Sequence, residues 1–251
     1  MTAVGPTQPI ARPARCCAVV AAAVLGLTAS ACGSRSAAPA PITARPGSST
    51  PSATVPPTTA VTPTTVPVTT TTVDPGTQPQ TPVEPAFGAP LEAQMQTLWS
   101  AIVAGSTTAA LPAFFPRSAY LQMKTGVLAD PDTDYTARLQ AFYALDVAAY
   151  HQALGPGAAS ATLVDVADAP ADAAWIGPGQ CENTIGYWHL PGVRLVYQEG
   201  STVSSFAVDS LISWRGVWYV VHLGPNPRPE NVGTVDDPEA GPGTPGPAGG
   251  C

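Results

Sequence analysis

Between Gly33 and Phe87 the chain shows no hydrophobic period, and this constrains its fold more than any other feature. The tract is built of Pro, Thr, Ser and Ala with almost no charge; its centre reads Thr62-Pro63-Thr64-Thr65-Val66-Pro67-Val68-Thr69-Thr70-Thr71-Thr72. Such a segment buries too little apolar surface to offset the entropy of ordering it. Repeated Pro biases it toward extended polyproline II, at roughly 3.1 Å per residue, which suits a spacer. Dense Thr also suits O-glycosylation. A second Pro/Gly-rich stretch, acidic and without core-forming residues, covers 225–251. It is expected to be disordered unless Cys251 ties it down. A folded domain is therefore expected over 89–224 only, with 32–88 as linker.

Within 89–224 the pattern changes twice. Pro90 suits a first helical turn, and Leu91, Met95, Leu98, Trp99, Ile102 and Val103 recur at helical spacing until Gly105. Ser106 or Thr107 can cap a short second helix, limited by Pro112 and Pro116. Asp130-Pro131-Asp132-Thr133-Asp134 is a turn with capping residues, ahead of a helix over about 134–154 that Gly155-Pro156-Gly157 ends. From Ser160 on the period is two. Strands are expected over Thr162–Val166, Thr184–His189, Val193–Gln198, Thr202–Trp214 and Val217–Leu223, with turns at Leu190-Pro191-Gly192, Glu199-Gly200 and Arg215-Gly216. Two or three helices ahead of an antiparallel meander make an α+β domain. This order of elements over about 135 residues resembles the NTF2-like (cystatin-like) cone, frequent among actinobacterial lipoproteins. The resemblance implies helices packed on a curved antiparallel sheet.

The net charge of −7 argues against a nucleic-acid partner, whose phosphates need a basic face, and against a polybasic membrane patch. At the other end of the chain, Arg12 and Arg15 precede an uncharged apolar stretch from Cys16 to Leu27, and Thr28-Ala29-Ser30-Ala31-Cys32 follows. A positive region, an apolar region and small residues are the layout of a secretory signal, over 1–31. The apolar part is shorter than the roughly 20 residues a spanning helix needs. With Cys32 behind the small residues, the run resembles a bacterial lipobox, with Ala29 where Leu is commonest. That resemblance implies cleavage before Cys32, a diacylglyceryl group on its sulfur, a further acyl chain such as palmitate, and an extracytoplasmic domain held to the membrane by lipid. Two or more acyl chains make such an anchor stable.

With Cys16 and Cys17 removed and Cys32 lipidated, Cys181 and Cys251 remain in an oxidising compartment, and a disulfide between them is expected. A free or intermolecular Cys251 is the alternative. No CxxC and no Cys/His cluster of zinc spacing occurs, so no metal or other cofactor is expected.

Three groups of side chains are candidates for function. If Arg215-Gly216 is a two-residue hairpin loop, Trp214 opposes Val217, Ser213 opposes Trp218, Leu211 opposes Val220 and Asp209 opposes His222. Asp209 could then orient His222 as a general base, or the two could form a plain cross-strand ion pair. Asp146 falls on the apolar face of the 134–154 helix with Phe142 and Tyr150, where it is either a pocket acid or base or a carboxylate hydrogen-bonded within the fold. Tyr187 and Trp188 must point to opposite faces of their strand, one to the core and one to a ligand or partner. His189 reads as a turn residue and His151 as an exposed one. No GxSxG, SxxK, HExxH, P-loop or GxGxxG motif occurs. The expectation is a lipid-anchored binding or accessory module of the cell envelope, its partner a protein, a glycan or an apolar ligand. An enzyme using Asp146, Asp209 and His222 is the alternative.

Overall fold

The computed structural model describes residues 73–228, 230–247 and 249–250. The segment expected to be a signal, Cys32, the expected linker up to 72 and Cys251 lie outside the described residues. What is described is an α+β fold: helices first, then a six-stranded sheet whose pairings are all antiparallel.

Helix α1, Ala89–Val103, has Pro90 in its first turn and buries Leu91, Met95, Leu98, Trp99 and Ile102 on one stripe. The Ser106 hydroxyl accepts from Ala109 N–H (3.2 Å) and caps α2, Thr107–Ala110. Helix α3, Arg117–Lys124, follows Pro116 and escapes a reading that lets the prolines close the helical region. Asp130 caps α4, Pro131–Asp134, by accepting from Thr133 N–H (3.0 Å). A π-helical turn over Tyr135–Leu139 then leads without a break into α5, Gln140–Leu154. His151 is half-buried rather than exposed; its Nδ1 lies 2.9 Å from the Ile102 carbonyl and ties α5 to the end of α1.

Strand β1, Thr162–Ala167, and the short β2, Ala174–Ile176, both pair with β3, Tyr187–Glu199. Two strands and a turn are expected over 184–198, but β3 runs straight through Leu190-Pro191-Gly192. The reason lies in its neighbours. β2 pairs with Tyr187 to His189 and β1 with Arg194 to Gln198, so Pro191 sits in the gap between them, where its missing N–H costs no ladder bond on that side. β4, Thr202–Trp214, and β5, Val217–His222, form the expected hairpin. Both loop residues, Arg215 (φ 53°) and Gly216 (φ 77°), adopt the positive φ that this tight turn requires.

Two segments expected to be disordered are docked. Residues 73–88 cross the sheet as a strap: the Trp214 indole N–H donates to the Pro75 carbonyl (3.1 Å), the Trp188 indole N–H to that of Pro82 (3.0 Å), and Gln80 Nε2 to that of Ser213 (2.8 Å). Beyond β5, Asp236–Ala240 forms β6 on β4, and Gly246 N–H donates to the Gly192 carbonyl (2.9 Å). Composition predicts that neither segment builds a core of its own, and neither does. The first instead satisfies two Trp indoles and the Ser213 carbonyl, and the second satisfies backbone groups of β4 and the Gly192 carbonyl, partners that sequence alone does not bring near. Among the described residues no helix is long and apolar enough to cross a membrane.

The core lies between α1, α5 and the sheet. Trp99 packs on Tyr197 (centroids 5.0 Å apart), and Phe114 stacks on Tyr143 (4.3 Å). The buried Tyr150 hydroxyl lies 2.6 Å from the Ala207 carbonyl and 2.8 Å from that of Leu223, and accepts from Asp236 N–H (3.0 Å), joining α5 to β4, to β6 and to the residue that follows β5.

Candidate functional site

Helix α3, the π-helical turn and the strands β3, β4 and β5 leave a cavity of about 400 Å³ between them. Its apolar wall is Phe115, Met123, Leu139, Ile212 and Val221. Its polar side is Tyr120 and Lys124 from α3, Arg138 from the π-helical turn, His189 from β3, Ser210 from β4 and His222 from β5. Cys181, Glu182, Asn183, Tyr187 and Gly250 complete the lining.

The hairpin register explains why His222 is there. Pairing follows the two-residue turn through Trp214↔Val217, Ser213↔Trp218 and Leu211↔Val220, as the sequence predicts. Val221 is then a bulge residue, and His222 falls opposite Ser210 instead of Asp209. The Asp209–His222 cross-strand pair is therefore corrected to Ser210–His222, because one extra residue flips every later side chain to the other face. Asp209 is buried behind the cavity. Its Oδ2 accepts from Ser210 Oγ (2.9 Å) and its Oδ1 from Asn226 N–H (3.3 Å). Burial raises its pKa, and those two hydrogen bonds partly offset the shift.

Ser210 Oγ also lies 3.2 Å from His189 Nε2. With the hydroxyl proton directed at Asp209, Oγ is the acceptor and His189 Nε2 carries the hydrogen. Acid, hydroxyl and imidazole thus come together with the hydroxyl in the middle. In a nucleophilic relay the carboxylate orients the imidazole and the imidazole deprotonates the hydroxyl; here Asp209 takes up the hydroxyl itself. Gly249 packs so closely on Asp209 and Ser210 that a Cβ there would collide with both.

Charge in the cavity is unevenly compensated. Arg138 makes a bidentate ion pair with Asp134, Nε to Oδ1 and Nη2 to Oδ2 at 2.7 Å each, and the Tyr120 hydroxyl joins the same carboxylate. The pairing raises the Arg138 pKa and lowers that of Asp134. Lys124 donates to the Glu182 carbonyl (3.0 Å) but is within salt-bridge distance of no carboxylate among the described residues. Desolvation lowers its pKa, with the nearby Glu182 charge opposing. Burial depresses His189, and it depresses His222 to about 4, helped by the positive charges of Arg138 and Arg228 and by His189 and Lys124. Both imidazoles are neutral at neutral pH. His222 makes no hydrogen bond among the described residues, so its ring nitrogens are open to the cavity.

Asp146 does not join this site. It is 1 % exposed and accepts four hydrogen bonds: from Arg228 Nη1 (3.1 Å) and Nη2 (2.6 Å), Gly224 N–H (3.1 Å) and Thr234 N–H (3.1 Å). The Arg228 guanidinium in turn lies 4.3 Å from the centroid of the Phe142 ring. A carboxylate so fully engaged holds the 224–234 loop on α5. Tyr187 points inward and lines the cavity, whereas Trp188 faces the strap and stands edge-on to Trp175 (6.0 Å). Of the sequence candidates, His222 and Tyr187 are therefore at the cavity, with Cys181 at its edge. Lys124, Arg138, His189 and Ser210 are missed by sequence reasoning; the signal that could have found the first is that Lys124 is the sole lysine in the chain.

Among the described residues no group of three or more His, Cys, Asp and Glu is placed to hold a metal ion. No family model, curated protein or solved structure matches this chain, so its function is read from the cavity and from the sequence.

Proposed function

We propose that this chain is a lipid-anchored, extracytoplasmic module of the cell envelope whose folded domain binds a small ligand. The observation that carries the binding reading is the cavity itself: about 400 Å³, apolar on one side, with polar groups from α3, the π-helical turn, β3, β4 and β5 converging on the other. A partly open cavity that sets an apolar wall against a few converging polar groups is a usual form of a ligand site. Helices preceding an antiparallel sheet, with a cavity between them, also support reading the domain as an NTF2-like cone. Anchoring rests on the lipobox-like run ending at Cys32. A Cys181–Cys251 disulfide belongs to the same proposal, supported by Cys181 and Gly250 lining one cavity.

An enzyme is the second reading, favoured by the contact of His189 with Ser210. The engagement of Asp209 with the hydroxyl, and of Asp146 with Arg228, weighs toward binding.

Native mass spectrometry of the full-length protein extracted from membranes tests the proposal. A small-molecule mass carried by the wild type and lost from Ile212→Trp, which fills the cavity, is the expected result. A ligand retained equally by both proteins rejects the cavity as its site. Cys32→Ser is expected to leave the membrane fraction or to stay unprocessed; a normally processed, membrane-bound Cys32→Ser protein rejects the anchor.

A further inference from the structure

Among the described residues, one cation of the cavity lining, Lys124, makes no ion pair. Arg138 is neutralised by Asp134 through two hydrogen bonds of 2.7 Å, while Lys124 donates to the Glu182 carbonyl at 3.0 Å and stands 5.9 Å from the centroid of the Tyr120 ring, with no carboxylate in salt-bridge contact among the described residues. Glu182 itself is exposed, and its carboxylate makes no ion pair with Lys124. Among the other polar groups at the cavity, the His222 ring makes no hydrogen bond among the described residues and can donate one, whereas the Tyr120 hydroxyl is committed to Asp134 and His189 Nε2 to Ser210. Asp209, the nearest buried carboxylate on β4, is turned toward Ser210 and Asn226. An anion entering here meets one positive charge that is in no ion pair and an imidazole able to donate. A cation would meet the Lys124 charge, opposed only by the exposed Glu182 carboxylate, which solvent screens.

The rest of the wall sets the remainder of the ligand. Phe115, Met123, Leu139 and Ile212 offer hydrocarbon, not hydrogen bonds. A phosphate dianion loses more hydration on entry than a monoanion, and one unpaired cation offsets little of that cost. A single Lys matches a monoanion.

We propose, building on the ligand-binding reading above, that the cavity selects a small organic carboxylate with an apolar body, its charged end held by Lys124 with His222 as a neighbouring donor. The depressed pKa of Lys124 agrees with a cation that is desolvated while the site is empty. Lys124 is the charge anchor, and the apolar wall sets the body that is admitted.

Because Lys124 is the sole lysine, it is also its own reporter. The test labels the full-length protein with a limiting amine acylating reagent and follows the peptide containing Lys124 by mass spectrometry. The probes are octanoate, octan-1-ol, octylamine and inorganic phosphate. At about ten times its Kd, octanoate is expected to slow labelling of Lys124 roughly tenfold, by occupancy alone. Octan-1-ol, octylamine and phosphate at the same concentration are expected to protect it far less. Lys124→Met is expected to weaken octanoate binding, read by tryptophan fluorescence, about 10- to 100-fold, the usual worth of a hydrogen bond to a charge. Lys124→Arg, which keeps the charge, is expected to restore most of it, and this pair of variants separates a lost anchor from a damaged fold. Octan-1-ol or octylamine binding as well as octanoate would overturn the carboxylate inference while leaving the ligand-binding reading intact. Failure of every probe to protect Lys124 would overturn it too, and the native mass measurement would then decide the broader reading by itself.

Discussion

Asp146 shows what a single buried charge does in this fold. Its carboxylate and Arg228 are both nearly inaccessible, with side chains 1 % and 7 % exposed, and they stand 2.6 Å apart. Removing one partner of such a pair leaves the other buried and unpaired, which costs about 3–5 kcal/mol, whereas removing both costs much less. Asp146→Asn and Arg228→Met are therefore each expected to lower stability by that order in urea titrations. The double variant is expected to lose less than the sum, since the two share one interaction. Strict additivity would show that the ion pair does not organise the 224–234 loop. Sequence spacing places Asp146 correctly on the apolar face of α5, beside Phe142 and Tyr150. Its partners are another matter. Gly224, Arg228 and Thr234 lie some eighty positions away, beyond or at the edge of what composition marks as the folded region. A helical period reports which face a residue occupies and carries nothing about a long-range partner. The same limit hides Lys124, whose place in the cavity depends on β3 and β5 and not on the short helix that carries it.

Among the elements, β4 was the most legible: its limits, Thr202–Trp214, and its turn into β5 follow from alternation and from Arg215-Gly216. The bulge at Val221 was not, because one extra residue leaves the hydrophobic alternation of a six-residue strand nearly unchanged while moving His222 from Asp209 to Ser210. Residues 236–250 were misread for a different reason. Their Pro and Gly content forbids a core but allows close approach to an existing sheet. Gly192 has φ +61°, and a Cβ built on it would lie 2.7 Å from the Gly246 Cα. Gly192→Val would strain the backbone of β3 and push Gly246 away from the carbonyl it donates to. We expect a loss of about 1–3 kcal/mol from the strained conformation, and a rise in amide hydrogen exchange confined first to 241–247. Unchanged protection there would mean that β6 and its neighbours hold the segment without the Gly192 crossing.

At the scale of the whole molecule, the half-buried His222 and the buried Asp236 shape the response to pH in opposite senses. His222 has its pKa depressed from 6.5 to about 4, chiefly by burial and then by the positive charges of Arg138, Arg228, His189 and Lys124. Below pH 6.5 the unfolded chain takes up a proton that the folded one refuses, so this contribution to stability is complete above pH 6.5 and is lost as the pH falls toward 4. Asp236 has its pKa raised from 3.8 to about 6, chiefly by burial and then by the negative charges of Asp209 and Asp237. Its Oδ2 is buried without a hydrogen-bond partner among the described residues, which fits a carboxyl that resists ionisation. The folded state holds that proton longer than the unfolded one, so the contribution is complete below pH 3.8 and is lost as the pH rises through 6. Between pH 4 and 6 the two slopes have opposite signs, and each masks the other. His222→Gln removes the imidazole and is expected to expose the Asp236 slope: relative to the wild type, its stability should rise as the pH falls from 6.5 to 4. Asp236→Asn is expected to do the reverse, gaining on the wild type as the pH rises from 3.8 through 6. Asp209 and His189 titrate in the wild type and in both variants, and they enter the comparison only through their coupling to Asp236 and His222. Urea midpoints measured at half-unit intervals from pH 3.5 to 7.5 would read both differences, and difference curves that stay flat across the window would show that neither group is held away from water as the cavity and the β4–β6 contact require.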